Sequence, residues 1–202
     1  MKYIAGLDLG QQNDRTALVV LEQDLPREDV FGEPEREHSL YRARHIERYE
    51  TEVSYTEQVA RVRRTMKQLP RRTPLVVDAT GVGRAVADLF ADCGSRVIRV
   101  TITGGDSVTR KGSEFRVPKA DLASTTQALL QTDRLQFSKR VPLTEILTGE
   151  LQDFRVKVSD GGHVRFEHRE GQHDDLVLAL ALAAWYAEDG SPYVFTGSTV
   201  TL

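Results

Sequence analysis

The sequence predicts a mixed α/β domain, a five-stranded sheet of three antiparallel strands then two parallel ones, with helices on both faces. Three observations carry this. Short apolar or alternating runs open the chain with no helical pattern between them. From residue 54 onward, helical and strand patterns take turns, the mark of parallel crossovers. The last strong pattern is a helix apolar almost all round, which must be buried.

Residues 3–8 end an apolar run in Leu-Asp-Leu-Gly, and 16–21 form a second run rich in β-branched residues; both read as buried strands. Residues 22–37 hold seven acids against two arginines, with Pro26 and Pro34, and read as a solvated loop. Residues 41–49 alternate, with Tyr41, Ala43, His45, Glu47 and Tyr49 on one face and Arg42, Arg44, Ile46 and Arg48 on the other, an exposed third strand completing a meander. Ser54-Tyr-Thr-Glu57 is a capping box, followed at helical spacing by Tyr55, Val59, Val62, Met66 and Leu69. Residues 74–78 read as the fourth strand, Thr80 as the cap of a helix to Phe90, and 96–102 as the fifth strand. The Gly-rich, basic stretch 103–117 reads as a mobile loop or hairpin. Pro118 and Pro142 each suit the first turn of a helix, running to about residues 132 and 151. Residues 154–158 and 163–166, joined by Ser-Asp-Gly-Gly, read as a hairpin, and 173–187 as the buried helix. That order is the ribonuclease H-like (RNase H-like) arrangement.

At 202 residues the chain suits one domain, 1–189, with a Ser/Thr/Gly-rich flexible tail, 190–202. Its single cysteine, Cys93, excludes a disulfide framework or a cysteine-built zinc site. The longest apolar run, 176–186, is far short of the ~20 residues a membrane span needs, and Asp8 interrupts any signal-peptide core. A cytoplasmic location follows as the expectation. No G-x-x-x-x-G-K-[ST] loop is present, which excludes a P-loop NTPase within these residues. The net charge of −3 argues, as an average, against a nucleic-acid binder.

Three carboxylate positions punctuate apolar elements: Asp8 ends the first strand, Asp78 ends the fourth, and Asp174 and Asp175 open the last helix. The first and fourth strands are neighbours in the predicted sheet, so Asp8 and Asp78 emerge side by side past the carboxyl ends, where open α/β sheets bind ligands. Crowded carboxylates repel unless they share protons or bind cations, and hard divalent ions, Mg²⁺ or Mn²⁺, are their expected occupants. A lone strand-terminal Asp is usually a turn residue. The 174/175 pair could equally serve the helix N-terminus. The coincidence of all three positions favours a metal site.

Three blocks carry a resemblance: Tyr3-Ile-Ala-Gly-Leu-Asp8-Leu-Gly-x-x-x-Asp14-x-Thr16-Ala17, Val77-Asp78-Ala-Thr-Gly-Val-Gly83, and His173-Asp174-Asp175-Leu-Val-Leu-Ala-Leu-Ala181. In order and content they resemble the nuclease domain of the large terminase subunits that package tailed-bacteriophage genomes. The resemblance implies a RuvC-like nuclease fold, cleavage of double-stranded viral DNA in the host cytoplasm, and catalysis by two divalent ions, Mg²⁺ or Mn²⁺. It implies Asp8 as a ligand bridging both ions, Asp78 as the second ligand, and Asp174 and Asp175 as the terminal acidic pair, with the direct ligand between them open. Asp14 matches an accessory acid, and His173 is read as an outer-shell partner. Two ions about 3.5–4 Å apart would activate a water and stabilise the leaving 3′ oxygen of an in-line displacement. The implied partners are a packaging ATPase domain, absent from this chain, the portal and the small terminase subunit.

Local charge bears on the DNA contact. Residues 61–72 hold six basic residues and no acid, and suit a solvated helix face. Residues 96–119 hold six basic residues against two acids, and Arg110, Lys111, Arg116 and Lys119 are taken as the DNA-binding set because this stretch follows the fifth strand. His38, His45, His163 and His168 lack metal-ligand spacing, and Cys93 reads as an inert helix-end thiol. The alternatives are a RuvC-like junction resolvase and a non-catalytic module that docks DNA or the packaging motor. An actin-like ATPase shares the Leu-Asp-Leu-Gly opening but needs two such lobes.

Overall fold

The computed structural model describes residues 2–10, 14–26, 38–81, 83–90, 96–153, 155–158, 164–167 and 174–190. The opening meander forms as the alternation requires. β1 (Lys2–Asp8) pairs antiparallel with β2 (Thr16–Asp24), Asp8 opposite Ala17, and β2 pairs antiparallel with β3 (Leu40–Tyr49), Ala17 opposite Arg48. β2 runs past its expected end, so Glu22 and Asp24 are strand residues and not part of an acidic loop; residues 27–37 lie outside the described residues. Glu22 is buried among Tyr3, Arg42 and Arg44, and these partners make a strand position tolerable for a carboxylate.

The third strand is not an exposed one. Its register slips between Val20, which faces His45, and Leu21, which faces Ala43. Arg44 is therefore the extra residue of a β-bulge, and a one-residue slip exchanges the two faces. Tyr41, Ala43 and Ile46 consequently share one core, while Tyr49 joins the other. Arg48, two positions beyond Ile46, follows it to the same face.

α1 (Tyr55–Gln68) starts at the expected cap, with the Ser54 hydroxyl accepting from the Glu57 amide. β4 (Pro74–Asp78) lies parallel to β1. α2 (Gly83–Asp88) is shorter than expected and begins three residues after Thr80, because Thr80 is used elsewhere: its amide donates to Asp78 Oδ1 at 2.8 Å and its hydroxyl accepts from the Ile102 amide at 3.0 Å. β5 (Arg96–Thr103) lies parallel to β4.

The sheet then exceeds the predicted five strands. The basic stretch forms the hairpin of β6 (Thr109–Lys111) and β7 (Glu114–Pro118), and β7 adds parallel to β5 because Phe115 and Val117 alternate into the core. α3 (Lys119–Gln131) follows without a break. β8 (Leu135–Gln136) then pairs parallel with β3 at the opposite edge. The result is one eight-stranded sheet in the order β6-β7-β5-β4-β1-β2-β3-β8. α4 (Thr144–Asp153) precedes a separate two-stranded hairpin, β9 (Arg155–Val158) with β10 (Val164–Glu167). The final helix α5 (Asp175–Trp185) continues into a π-helical turn, Tyr186–Gly190. No helix among the described residues is long and apolar enough to cross a membrane.

Helices cover both faces, as predicted. α1 and α2 pack on one side through Val59, Val62, Met66, Val86 and Ala87. On the other side α3, α4 and α5 bury Leu122, Leu129, Leu147 and almost all of α5. α5 lies directly on β1. A Cβ at Gly6 would meet the Ala179 carbonyl oxygen at 1.9 Å and the Ala183 amide nitrogen at 2.9 Å, so only glycine permits this approach. One turn before Ala179 on the same helix face stands Asp175, so the contact that packs the helix also sets its acidic start over the end of β1.

Candidate metal and nucleic-acid site

β1, β4, β5 and β7 are parallel, and their carboxyl ends share one edge of the sheet. Leu7 pairs with Val77, so one step further in that register sets Asp8 beside Asp78. Side-chain alternation puts both on the face of Ile4 and Val76, beneath α5. α5 supplies Asp174 and Asp175 from above. Pro118 at the end of β7 pairs with Thr103 and delivers Lys119, the first residue of α3, to the same edge.

Asp8 is 9% exposed. Its carboxyl is pushed well above the usual carboxylate range, first by burial, then by the charges of Asp78, Asp174 and Asp175, with Lys119 offsetting part of this. Asp78 is also raised by burial, against the hydrogen bonds from Thr80 and the charge of Lys119. The terminal pair is engaged by two cations. Asp174 Oδ2 lies 3.4 Å from Lys119 Nζ. Asp175 is gripped by Arg48, with Nε to Oδ2 at 2.7 Å and Nη2 to Oδ1 at 3.2 Å, and Arg48 also donates to Glu150 of α4. Asp174 sits at the N-cap position but makes no side-chain capping bond, so helix capping does not account for it.

The donors are all carboxylate oxygens, which suits Mg²⁺ or Mn²⁺ over softer ions. A divalent cation is the group that would relieve the crowded charge on Asp8 and Asp78. Among the described residues, no three Asp, Glu, His or Cys side chains are arranged to hold a metal ion as they stand; Asp174 is drawn to Lys119 and Asp175 to Arg48.

The remaining predicted residues separate. Asp14 is exposed in the segment before β2. His173, like His163, His168, Cys93, the 159–162 turn and tail residues 191–202, lies outside the described residues. Arg110, Lys111 and Arg116 are exposed on the β6–β7 hairpin. Arg110 faces the α5 side, its guanidinium 5.0 Å from the Phe115 ring centre, whereas Arg116 pairs with Thr109 on the opposite face. Lys119 is among the acids and not on the hairpin. Sequence reading missed Arg48 and Glu150. The bulge at Arg44 hid Arg48, and no pattern within α4 marks Glu150.

Residues 5–186 match the family model described as the terminase RNaseH-like domain. No curated protein sequence gives a match. Among solved structures, the chain is similar to the large terminase nuclease of thermophilic phage G20c with bound magnesium, at 22% identity, TM-score 0.59, over 91% of this chain and 80% of that one. It is also similar to the large terminase nuclease domain of Thermus phage P74-26, at 20% identity, TM-score 0.60, over 90% and 77%. The nuclease domain of g2p from bacteriophage SPP1, with bound Mn, matches at 15% identity, TM-score 0.53, over 91% and 85%. At these identities the likeness is one of fold.

Proposed function

The chain belongs to the terminase RNaseH-like domain family, and from that premise we propose that it is a metal-dependent endonuclease that cuts double-stranded viral DNA during genome packaging in the host cytoplasm. The observation that carries the reading is the carboxyl edge itself, where buried Asp8 and half-buried Asp78 stand side by side beneath the acidic start of α5. The structures of similar fold with magnesium and Mn bound support the same choice of cation.

Asp8, Asp78 and the 174/175 pair would hold two divalent ions. When bound, such ions supply an activated water and charge stabilisation for a leaving 3′ oxygen. The chain's own contributions follow from its geometry. Asp8 and Asp78 present oxygens from rigid strand ends, so little ordering cost remains when they bind. Thr80 fixes Asp78 through its amide. Lys119, beside Asp174, supplies positive charge at the edge where a phosphodiester must approach an acidic surface. Arg110, Lys111 and Arg116 project from the neighbouring hairpin as phosphate contacts. The packaging ATPase, the portal and the small subunit are the proposed partners.

Plasmid cleavage in Mg²⁺ or Mn²⁺ tests the proposal. Asp8→Ala and Asp78→Asn should fold and fail to cut; wild-type-like cutting by either overturns it. Cutting of branched but not linear duplexes would replace packaging cleavage with junction resolution.

A further inference from the structure

Arg48 belongs to a largely buried triad, with Glu150 and Asp175, of which the nuclease reading uses Asp175 alone. The Arg48 side chain is 9% exposed, Asp175 6% and Glu150 12%. Three elements meet here: the end of β3, the start of α5 and the last turns of α4. One guanidinium serves two carboxylates. Arg48 uses Nε and Nη2 on Asp175, and the same Nη2 on Glu150 Oε1. Glu150 is also reached by the backbone amide of Leu176 at the start of α5, and its other oxygen, Oε2, is buried with no hydrogen-bond partner among the described residues. A buried carboxylate oxygen left unpaired is costly, and it is an acceptor in reserve within reach of a guanidinium that has five N–H donors.

We propose that Arg48 and Glu150 form a cation-exchange device for Asp175: Arg48 holds the Asp175 carboxylate in the arrangement seen, and releases it to a divalent cation by closing fully onto Glu150. The inference rests on the reading of Asp175 as part of the metal-binding set. Arg48 competes with the metal, because an oxygen accepting a charged N–H bond is a poorer ligand. Glu150 relieves that competition by offering the guanidinium a second carboxylate, so the arginine is never left buried and unpaired. Both are positioning residues, acting through Asp175.

The device predicts effects of opposite sign and, unlike charge removal in a static triad, a Glu150→Gln effect that depends on Arg48. Mn²⁺ affinity is measured by calorimetry on the whole chain, with folding checked by circular dichroism and melting. Glu150→Gln removes the alternative seat and should weaken Mn²⁺ binding by about tenfold. Arg48→Gln removes the competitor and should tighten it by about tenfold. In the double variant the Glu150→Gln effect should vanish, since no arginine remains to relocate. Should Arg48→Gln fail to fold, Arg48→Lys takes its place and should tighten binding less, because an ammonium cannot span both carboxylates. Losses of the same sign in both single variants overturn the proposal, as does a Glu150→Gln effect that persists without Arg48. A wild-type chain that binds no Mn²⁺, or an Asp8→Asn chain that binds it equally well, condemns the metal-site reading itself and not the exchange.

Discussion

Asp8 and Glu22 are carboxylates buried on adjacent strands of one sheet, and the fold treats them oppositely. Glu22 accepts hydrogen bonds from Tyr3, Arg42 and Arg44, and Arg44 foremost holds its carboxyl below the usual range. Asp8 is surrounded by Asp78, Asp174 and Asp175 and is pushed well above it, by burial first. The difference lies in who supplies the countercharge. The protein completes the Glu22 site from its own side chains, so that acid stabilises the fold. It under-supplies the Asp8 site, with Lys119 facing several acids, and that imbalance is what the proposed cation would relieve. Burial among like charges, more than burial alone, is what makes an acid a candidate for function.

The sharpest way to break this contrast is to neutralise each acid. Asp8→Asn should reduce Mg²⁺- or Mn²⁺-dependent plasmid cleavage on the order of 10³-fold or more, while Glu22→Gln cuts as wild type. Stability should respond in the reverse sense. Glu22→Gln should lose about 1–3 kcal/mol in urea titration, since it weakens the charge-assisted hydrogen bonds that satisfy a buried side chain, and metal-free Asp8→Asn should be more stable than wild type.

Metal should separate the two acids next. At 100 times its dissociation constant, Mn²⁺ should stabilise wild type and Glu22→Gln by about 2.7 kcal/mol in thermal melts and leave Asp8→Asn unmoved. An equal shift in all three proteins would mean the ion binds elsewhere.

Protons should act as a weaker version of the same test. With its folded carboxyl raised, Asp8 contributes stability that is present below the ordinary carboxylate range and is lost as pH rises through the raised value. Glu22, lowered, contributes stability above that range, lost as pH falls through its depressed value. The advantage of metal-free Asp8→Asn over wild type should therefore shrink as pH falls from neutral toward the carboxylate range. A gap that widens instead would refute the assignment of Asp8.

The smallest effect concerns DNA. Arg110→Ala with Lys111→Ala should weaken duplex binding several-fold and reduce the salt slope by about 2. An unchanged slope removes the hairpin from the interface.

The acids themselves were legible because strand ends are local events. Asp8 and Asp78 each stop an apolar run, and a right-handed crossover between them makes their strands neighbours. What surrounds them was not. Arg48 alternates onto the exposed face in a regular strand, and only the bulge at Arg44 turns it inward. Lys119 read as part of a DNA-binding stretch, until β7 extended the sheet and set it at the carboxyl edge. β8, two residues long, is shorter than any periodicity can reveal. Thr80 looked like a helix cap because its competing partner, the Ile102 amide, is 22 residues away.

By itself the sequence determined the order of elements, the meander followed by crossovers, the burial of α5 and the acids that end β1 and β4, since these depend on alternation and on residues within a turn or two. Tertiary structure alone decided the eight-strand sheet, the approach of α5 to β1 across Gly6, and the cations that meet each acid. The physical reason is range. A hydrophobic period is written along the chain, whereas a countercharge such as Arg48, 127 residues from Asp175, is chosen by packing.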